Sequence, residues 1–136
     1  MAQSRMKKMI QVLIVLLALL ALAWVLLRML PPGFDTDLTQ IGGGERAVVL
    51  VHDHNFVESV ELMEALDGVR QRQPEAMLYL VADLNTPRGQ RFADNHDVDA
   101  VTLVLFDARG RTVAVRSGRL SREQIEDWLN EHLPPY

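Results

Sequence analysis

The chain has 136 residues, of which 24% are charged and 49% are apolar, and it contains no cysteine. This length allows one compact domain of ordinary size, or a smaller domain with an appendage. Without cysteine the chain has no disulfide, thiol nucleophile, dithiol redox centre, iron–sulfur cluster or zinc–thiolate site.

The first predicted element is a helix that spans a membrane. Residues 9–27 include no charged side chain and are rich in Leu, Val and Ala. At about 1.5 Å per residue, this run spans roughly the hydrocarbon core of a bilayer. Because Arg5, Lys7 and Lys8 precede it, the positive-inside rule predicts a cytoplasmic basic tail (1–8), a transmembrane helix (9–30) and an exported remainder.

A cleaved signal peptide is the alternative interpretation of this segment. Ala21-Leu22-Ala23 resembles a cleavage motif. However, the apolar run is long for a signal peptide, and cleavage there would leave the apolar residues 24–30 as a new terminus. We therefore expect a single-pass protein of a bacterial inner membrane, with its C-terminal domain in the periplasm.

Charge is distributed unequally along the chain. All 18 acidic residues and 10 of the 14 basic ones follow residue 30, so the exported part has a net charge of 10 − 18 = −8. A domain of this charge is not expected to bind nucleic acid or anionic lipid through a basic face.

The exported part divides into a linker and a domain. Residues 31–46 contain two Pro and four Gly, which is typical of a tether, and the domain is expected at 47–136. Its apolar runs predict strands at 47–51, 77–82, 101–106 and 112–115. Between them the sequence predicts helices that start at Phe56, at Pro87 and after Ser121.

Two of these helices carry sequence signals at their starts. Asn55 with Glu58, and Ser121 with Gln124, have the spacing of capping boxes. Helical spacing predicts a buried face on the first helix, made of Val57, Val60, Met63, Leu66 and Val69. The element order β-α-β-α-β-β-α predicts an α/β domain with a four-stranded mixed sheet.

The stretch from Asp97 to Leu129 resembles the thioredoxin-like family in its third strand, glycine-turn hairpin and C-terminal helix. Gly110 and Gly118 match two recurrent glycines of that family, and Asp83 matches an acidic residue after its second strand. The resemblance covers residues 46–133 and implies a thioredoxin-like fold behind the membrane anchor.

The chain departs from this family at both parts of the redox site. Phe56-Val57-Glu58-Ser59 stands where the family has its C-x-x-C motif. Val101 stands where the family has a cis-proline, which presents backbone to an extended substrate. The resemblance therefore implies a redox-inactive member that is not an enzyme and holds no cofactor.

A platform without this chemistry is expected to bind another protein. The candidate partner-binding residues are Phe56, Val57, Ala100 and Val101, at the edge where the family displays its active site. We expect an accessory subunit or assembly factor that joins an integral membrane protein complex and is held in the bilayer by residues 9–30.

Two alternatives remain open at this point. If the loops around His52, His54 and His96 met at one edge of the sheet, the three imidazoles could bind Cu or Zn in a metal-handling protein. The domain could instead be a membrane-tethered periplasmic holdase with many clients. The sequence pattern does not indicate a histidine and an acidic residue that would form a catalytic triad with Ser59, so no serine nucleophile is predicted.

Overall fold

A computed structural model describes residues 2–30 and 33–133 of the chain. The chain divides into two compact units, one that ends at Gly33 and one that begins at Phe34. The first unit contains helix α1 (Ala2–Met29), which is long and apolar enough to cross a membrane by its length and composition. The helix includes the basic residues Arg5, Lys7 and Lys8 as well as the apolar run.

The second unit is built on a four-stranded mixed sheet with the order β2-β1-β3-β4. The central strand β1 (Ala47–His52) pairs in parallel with β2 (Leu78–Asp83) and antiparallel with β3 (Thr102–Phe106). Strand β4 (Thr112–Ser117) pairs antiparallel with β3 at one edge. Residues 47–51 are fully buried, as their continuous apolar run predicts for a strand covered on both faces.

Helices cover the two faces of this sheet. Helices α2 (Val57–Arg72) and α4 (Arg122–His132) pack on one face, and α3 (Pro87–His96) packs on the other. Phe92 and Ala93 of α3 are buried against this face. The fold class predicted from the sequence is therefore confirmed.

Side-chain caps start two of the three α-helices that cover the sheet. Ser121 and Gln124 form the predicted capping box at α4. Thr86 caps α3 and accepts a hydrogen bond from the Gly89 N–H at 3.1 Å. The box predicted at Asn55 does not form, because Asn55 bonds the Asp53 carboxylate with its backbone and amide N–H groups instead. Helix α2 begins one residue later than predicted and has no side-chain cap.

The buried face of α2 differs from the predicted one. Val57 and Val60 are exposed, whereas Leu66 and Val69 are buried as expected. The remaining buried positions are Ser59 and Leu62, so the buried stripe follows 59, 62, 66 and 69. Two sets of α2 residues fit helical spacing, one that includes Val60 and one that includes Leu62. The second set is the buried one, and it was harder to recognise because it includes the polar Ser59.

Part of the predicted linker packs against the sheet. Leu38 and Ile41 contact the core on the α3 side, and Phe34 contacts the core on the other side. Asp35 forms an isolated parallel bridge with Leu80 at the outer edge of β2. The compact unit therefore begins well before Ala47, whereas Pro31 and Pro32 lie outside the described residues.

Candidate functional site

The predicted partner-binding residues lie around the carboxyl end of β1. Residues 53–56 lead from this strand into α2, and residues 97–101 lead from α3 into β3. The Val101 N–H donates a hydrogen bond to the Val51 carbonyl at 3.0 Å, so the second segment is attached to the end of β1. The topology thus brings both predicted segments to one end of the sheet.

Phe56 occupies the N-cap position of α2 with extended backbone. Phe56 is 50% exposed and Val57 is 65% exposed. Val60, one turn later, is 39% exposed. We call these three residues, Phe56, Val57 and Val60, the α2 apolar patch. Helical spacing predicted that Val60 would be buried, so its place in this patch was not predicted from the sequence. The alternative stripe through Leu62 was the signal that could have indicated an exposed Val60.

Val101 has an unusual backbone conformation. Its φ is +60°, in the left-handed region, and β-branched residues rarely adopt this region because Cβ crowds the carbonyl oxygen. Such a conformation costs about 1–3 kcal/mol and persists only where surrounding contacts enforce it. Here the Val101 N–H bonds Val51, and the Val101 carbonyl accepts the Gly118 N–H at 2.9 Å. Ala100 and Val101 are half-buried, and the described chain has no cis peptide bond at this position.

A buried hydroxyl connects β1 to α2. Ser59 is fully buried, and its oxygen accepts a hydrogen bond from the Asp53 N–H at 3.0 Å. The same oxygen lies 2.8 Å from Nδ1 of His52. Because Ser59 accepts from Asp53, its own hydrogen is available for His52. This contact between Ser59 and His52 was not predicted from the sequence. Because the hydroxyl is buried, it is not accessible to a substrate, and its role is to hold the connection between β1 and α2.

A second polar cluster lies between the ends of β1 and β2. Nδ1 of His54 lies 2.8 Å from the side-chain nitrogen of Asn85, which also donates to the Asp83 carboxylate at 3.1 Å. The hydrogen bond from the Asn55 backbone N–H is the main cause that holds the pKa of Asp53 below its ordinary value. Asp53 is therefore an anion at neutral pH.

The three predicted metal candidates are not brought together. His96 ends α3, and its ring packs on Phe92 at 4.4 Å and on Phe106 at 5.2 Å between centroids. Phe106 pairs with Ala47, at the opposite end of β1 from His52. The structure therefore does not support the metal-handling alternative, in which His96 would join His52 and His54, because α3 places His96 at the far end of β1. Within residues 2–30 and 33–133, no group of three metal-binding side chains is present.

No protein-family model and no curated protein sequence matches the chain. Among solved structures, it is similar to the solution structure of an uncharacterised thioredoxin-like protein from Clostridium perfringens. The TM-score is 0.57 at 22% identity, over 65% of this chain and 71% of that one. It is also similar to a structure described as that of a malarial protein, with a TM-score of 0.58 at 14% identity, over 65% of this chain and 98% of the other. Together with the sheet order and the flanking helices, these likenesses show that the chain has a thioredoxin-like fold.

Proposed function

We propose that this chain is a non-catalytic, single-pass membrane protein whose thioredoxin-like domain binds another protein. The anchor is α1, held in a bacterial inner membrane with the basic tail in the cytoplasm and the domain in the periplasm. The partner belongs to an integral membrane complex, in which this chain is an accessory subunit or assembly factor. The absence of cysteine from the sequence supports a role without dithiol chemistry.

The observation that carries this proposal is the exposed aromatic side chain at the start of α2. Ser, Thr, Asp or Asn at an N-cap typically stabilises a helix by about 1 kcal/mol relative to residues that cannot cap. Phe56 makes no such bond and is half exposed. A position that forgoes a cap and exposes an aromatic ring is typical of an interface anchor.

The backbone of Val101 indicates how the partner would be held. Thioredoxin-like proteins present backbone at this position to extended polypeptide. In this chain the Val101 N–H and carbonyl are both hydrogen-bonded inside the domain, to Val51 and Gly118. We therefore propose recognition through the side chains of the α2 apolar patch, with Ala100 and Val101 beside it.

The test is Phe56→Ala in the full chain, isolated from native membranes in mild detergent. We expect loss of a stoichiometric partner, with an affinity loss of roughly 30- to 1,000-fold for a truncated aromatic anchor. Because Phe56 is half exposed, the melting temperature of the variant should match that of the wild type.

Phe92→Ala is the matched control, since Phe92 is 6% exposed and lies on the opposite face of the sheet. It should lower the melting temperature and retain the partner below that temperature. The proposal fails if Phe56→Ala lowers the melting temperature and keeps the partner, or if both variants retain it equally.

A further inference from the structure

The outer side of β4 is an unpaired sheet edge. In the described chain, β4 pairs only with β3, and no backbone hydrogen bond outside that ladder involves residues 112–117. The opposite edge of the sheet differs, because the Val81 N–H of β2 donates to the Asp35 carbonyl at 3.0 Å. The structure thus covers one edge with its own chain and leaves the other open to a further strand.

The two faces of β4 have different chemistry. The pairing is regular from Ala114 to Ser117, where Val115 is opposite Val104 and Arg116 is opposite Leu103. Since paired residues share a face, Val115 lies on the α3 face of the sheet and Arg116 on the α2 and α4 face. Val115 is 48% exposed, and Val113, beside the bulge in this ladder, is 42% exposed.

The edge is also positively charged on a negatively charged domain. Five of the ten basic residues that follow residue 30 lie between residues 108 and 122, where no acidic residue occurs. Arg111 pairs with Asp107, and Arg119 pairs with Glu58 and Glu61. No ion pair joins Arg109 or Arg116 to a carboxylate elsewhere in the described chain. Guanidinium groups match carboxylates in geometry as well as charge.

We propose that the β4 edge binds an extended acidic peptide segment of another protein by strand addition. The backbone of the segment pairs with β4, an apolar side chain lies beside Val115, and the next side chain is a carboxylate beside Arg116. The ligand class is therefore a strand that alternates apolar and acidic residues. This surface is separate from the α2 apolar patch, and the inference does not depend on the function proposed for that patch.

The probe is an end-capped eight-residue peptide that alternates glutamate with valine, titrated into the full chain in uncharged detergent micelles. We expect saturable binding, with backbone amide shifts in the NMR spectrum concentrated at residues 112–117. A peptide with lysine in place of glutamate should bind at least tenfold more weakly. The same acidic peptide with N-methylated amides should not bind, because it cannot donate to the edge.

Arg116→Glu should weaken binding of the acidic peptide at least tenfold. Arg91→Glu is the matched control, since it changes the net charge equally at an exposed position of α3. It should leave the affinity within twofold of the wild type, and so should Phe56→Ala, which separates this test from that of the α2 apolar patch.

The proposal is overturned if the acidic peptide shows no saturable binding, or if the lysine peptide binds equally well. Equal losses from Arg116→Glu and Arg91→Glu would mean that only the overall charge matters, and would also overturn it. Unchanged affinity after N-methylation would exclude strand pairing. A dimer of this chain through β4 that the peptide does not dissociate would identify a second copy as the occupant and would refute the proposal.

Discussion

Nδ1 of His52 lies 2.8 Å from the hydroxyl oxygen of Ser59, and this contact joins the last residue of β1 to the first turn of α2. The resemblance to thioredoxin-like proteins aligns Ser59 with the second cysteine of their motif, and Ser59 is fully buried. The position thus has a structural role here, because its oxygen also satisfies the Asp53 N–H.

Ser59→Ala should lower the free energy of unfolding by about 1–2 kcal/mol, because it leaves the Asp53 N–H and His52 Nδ1 without their partner. Urea denaturation of the full chain in detergent measures the loss. Thr36→Ala, which removes an exposed hydroxyl, is the control and should change the free energy by less than about 0.5 kcal/mol. Equal stability of the two variants would show that the buried contact contributes nothing.

Phe56→Ser should raise the free energy of unfolding by about 0.5–1 kcal/mol. The extended backbone of Phe56 is already that of an N-cap residue, so a serine hydroxyl can accept a bond from the first turn of α2. The same substitution should abolish partner recovery. Thermal denaturation checks the first expectation, with Phe56→Ala as the uncapped control; a lower stability for the serine variant would contradict the cap geometry.

The backbone of Val101 predicts a reversal in the usual order of alanine and glycine. At a φ of +60°, Val101→Gly should be more stable than Val101→Ala by about 1 kcal/mol, because glycine has no Cβ. At Val60, inside helix α2, the alanine variant should be the more stable by about 1 kcal/mol. Chemical denaturation of the four variants measures both differences, and the same order at both positions would disprove the left-handed conformation.

His96 predicts a pH dependence of stability. Partial desolvation of its ring against Phe92 and Phe106 holds the pKa of His96 below its ordinary value of 6.5. Because the folded state favours the neutral ring, this contribution is fully present above pH 6.5 and is lost as the pH falls through the folded-state pKa. Melting temperatures between pH 7.5 and pH 5 should therefore fall less in His96→Gln than in the wild type. Asn95→Gln, which changes no titratable group, should follow the wild type.

The proposed topology predicts the compartment of the C-terminus. A reporter that is active only in the periplasm should be active when fused after Tyr136, and one that is active only in the cytoplasm should be silent. Replacing Arg5, Lys7 and Lys8 with glutamate should reduce periplasmic activity, because it removes the positive flank. Activity of the cytoplasmic reporter on the unmodified chain would reverse the proposed orientation.

Much of the fold could be predicted because its signals are local. The run from Ala47 to Val51 is apolar at every position, as expected for a strand that is covered on both faces. Ser121 and Gln124 form a capping box from spacing alone, and Gly110 and Gly118 adopt the positive φ values that their turns require. The apolar composition of α1 likewise depends on no other part of the chain.

Other features were decided only by packing between distant segments. Two stripes of α2 fit helical spacing, and contact with the sheet selected the one through Leu62 rather than the one through Val60. Because of the direction in which α3 runs, His96 lies at the far end of β1 from His52. Asp35, in the predicted linker, pairs with Leu80 of β2 and so belongs to the domain. The sequence by itself determined the strands and α-helices, their order and the lack of cysteine thiols. The tertiary structure decided which side chains meet and which stay exposed, because those outcomes depend on contacts between residues far apart in the chain.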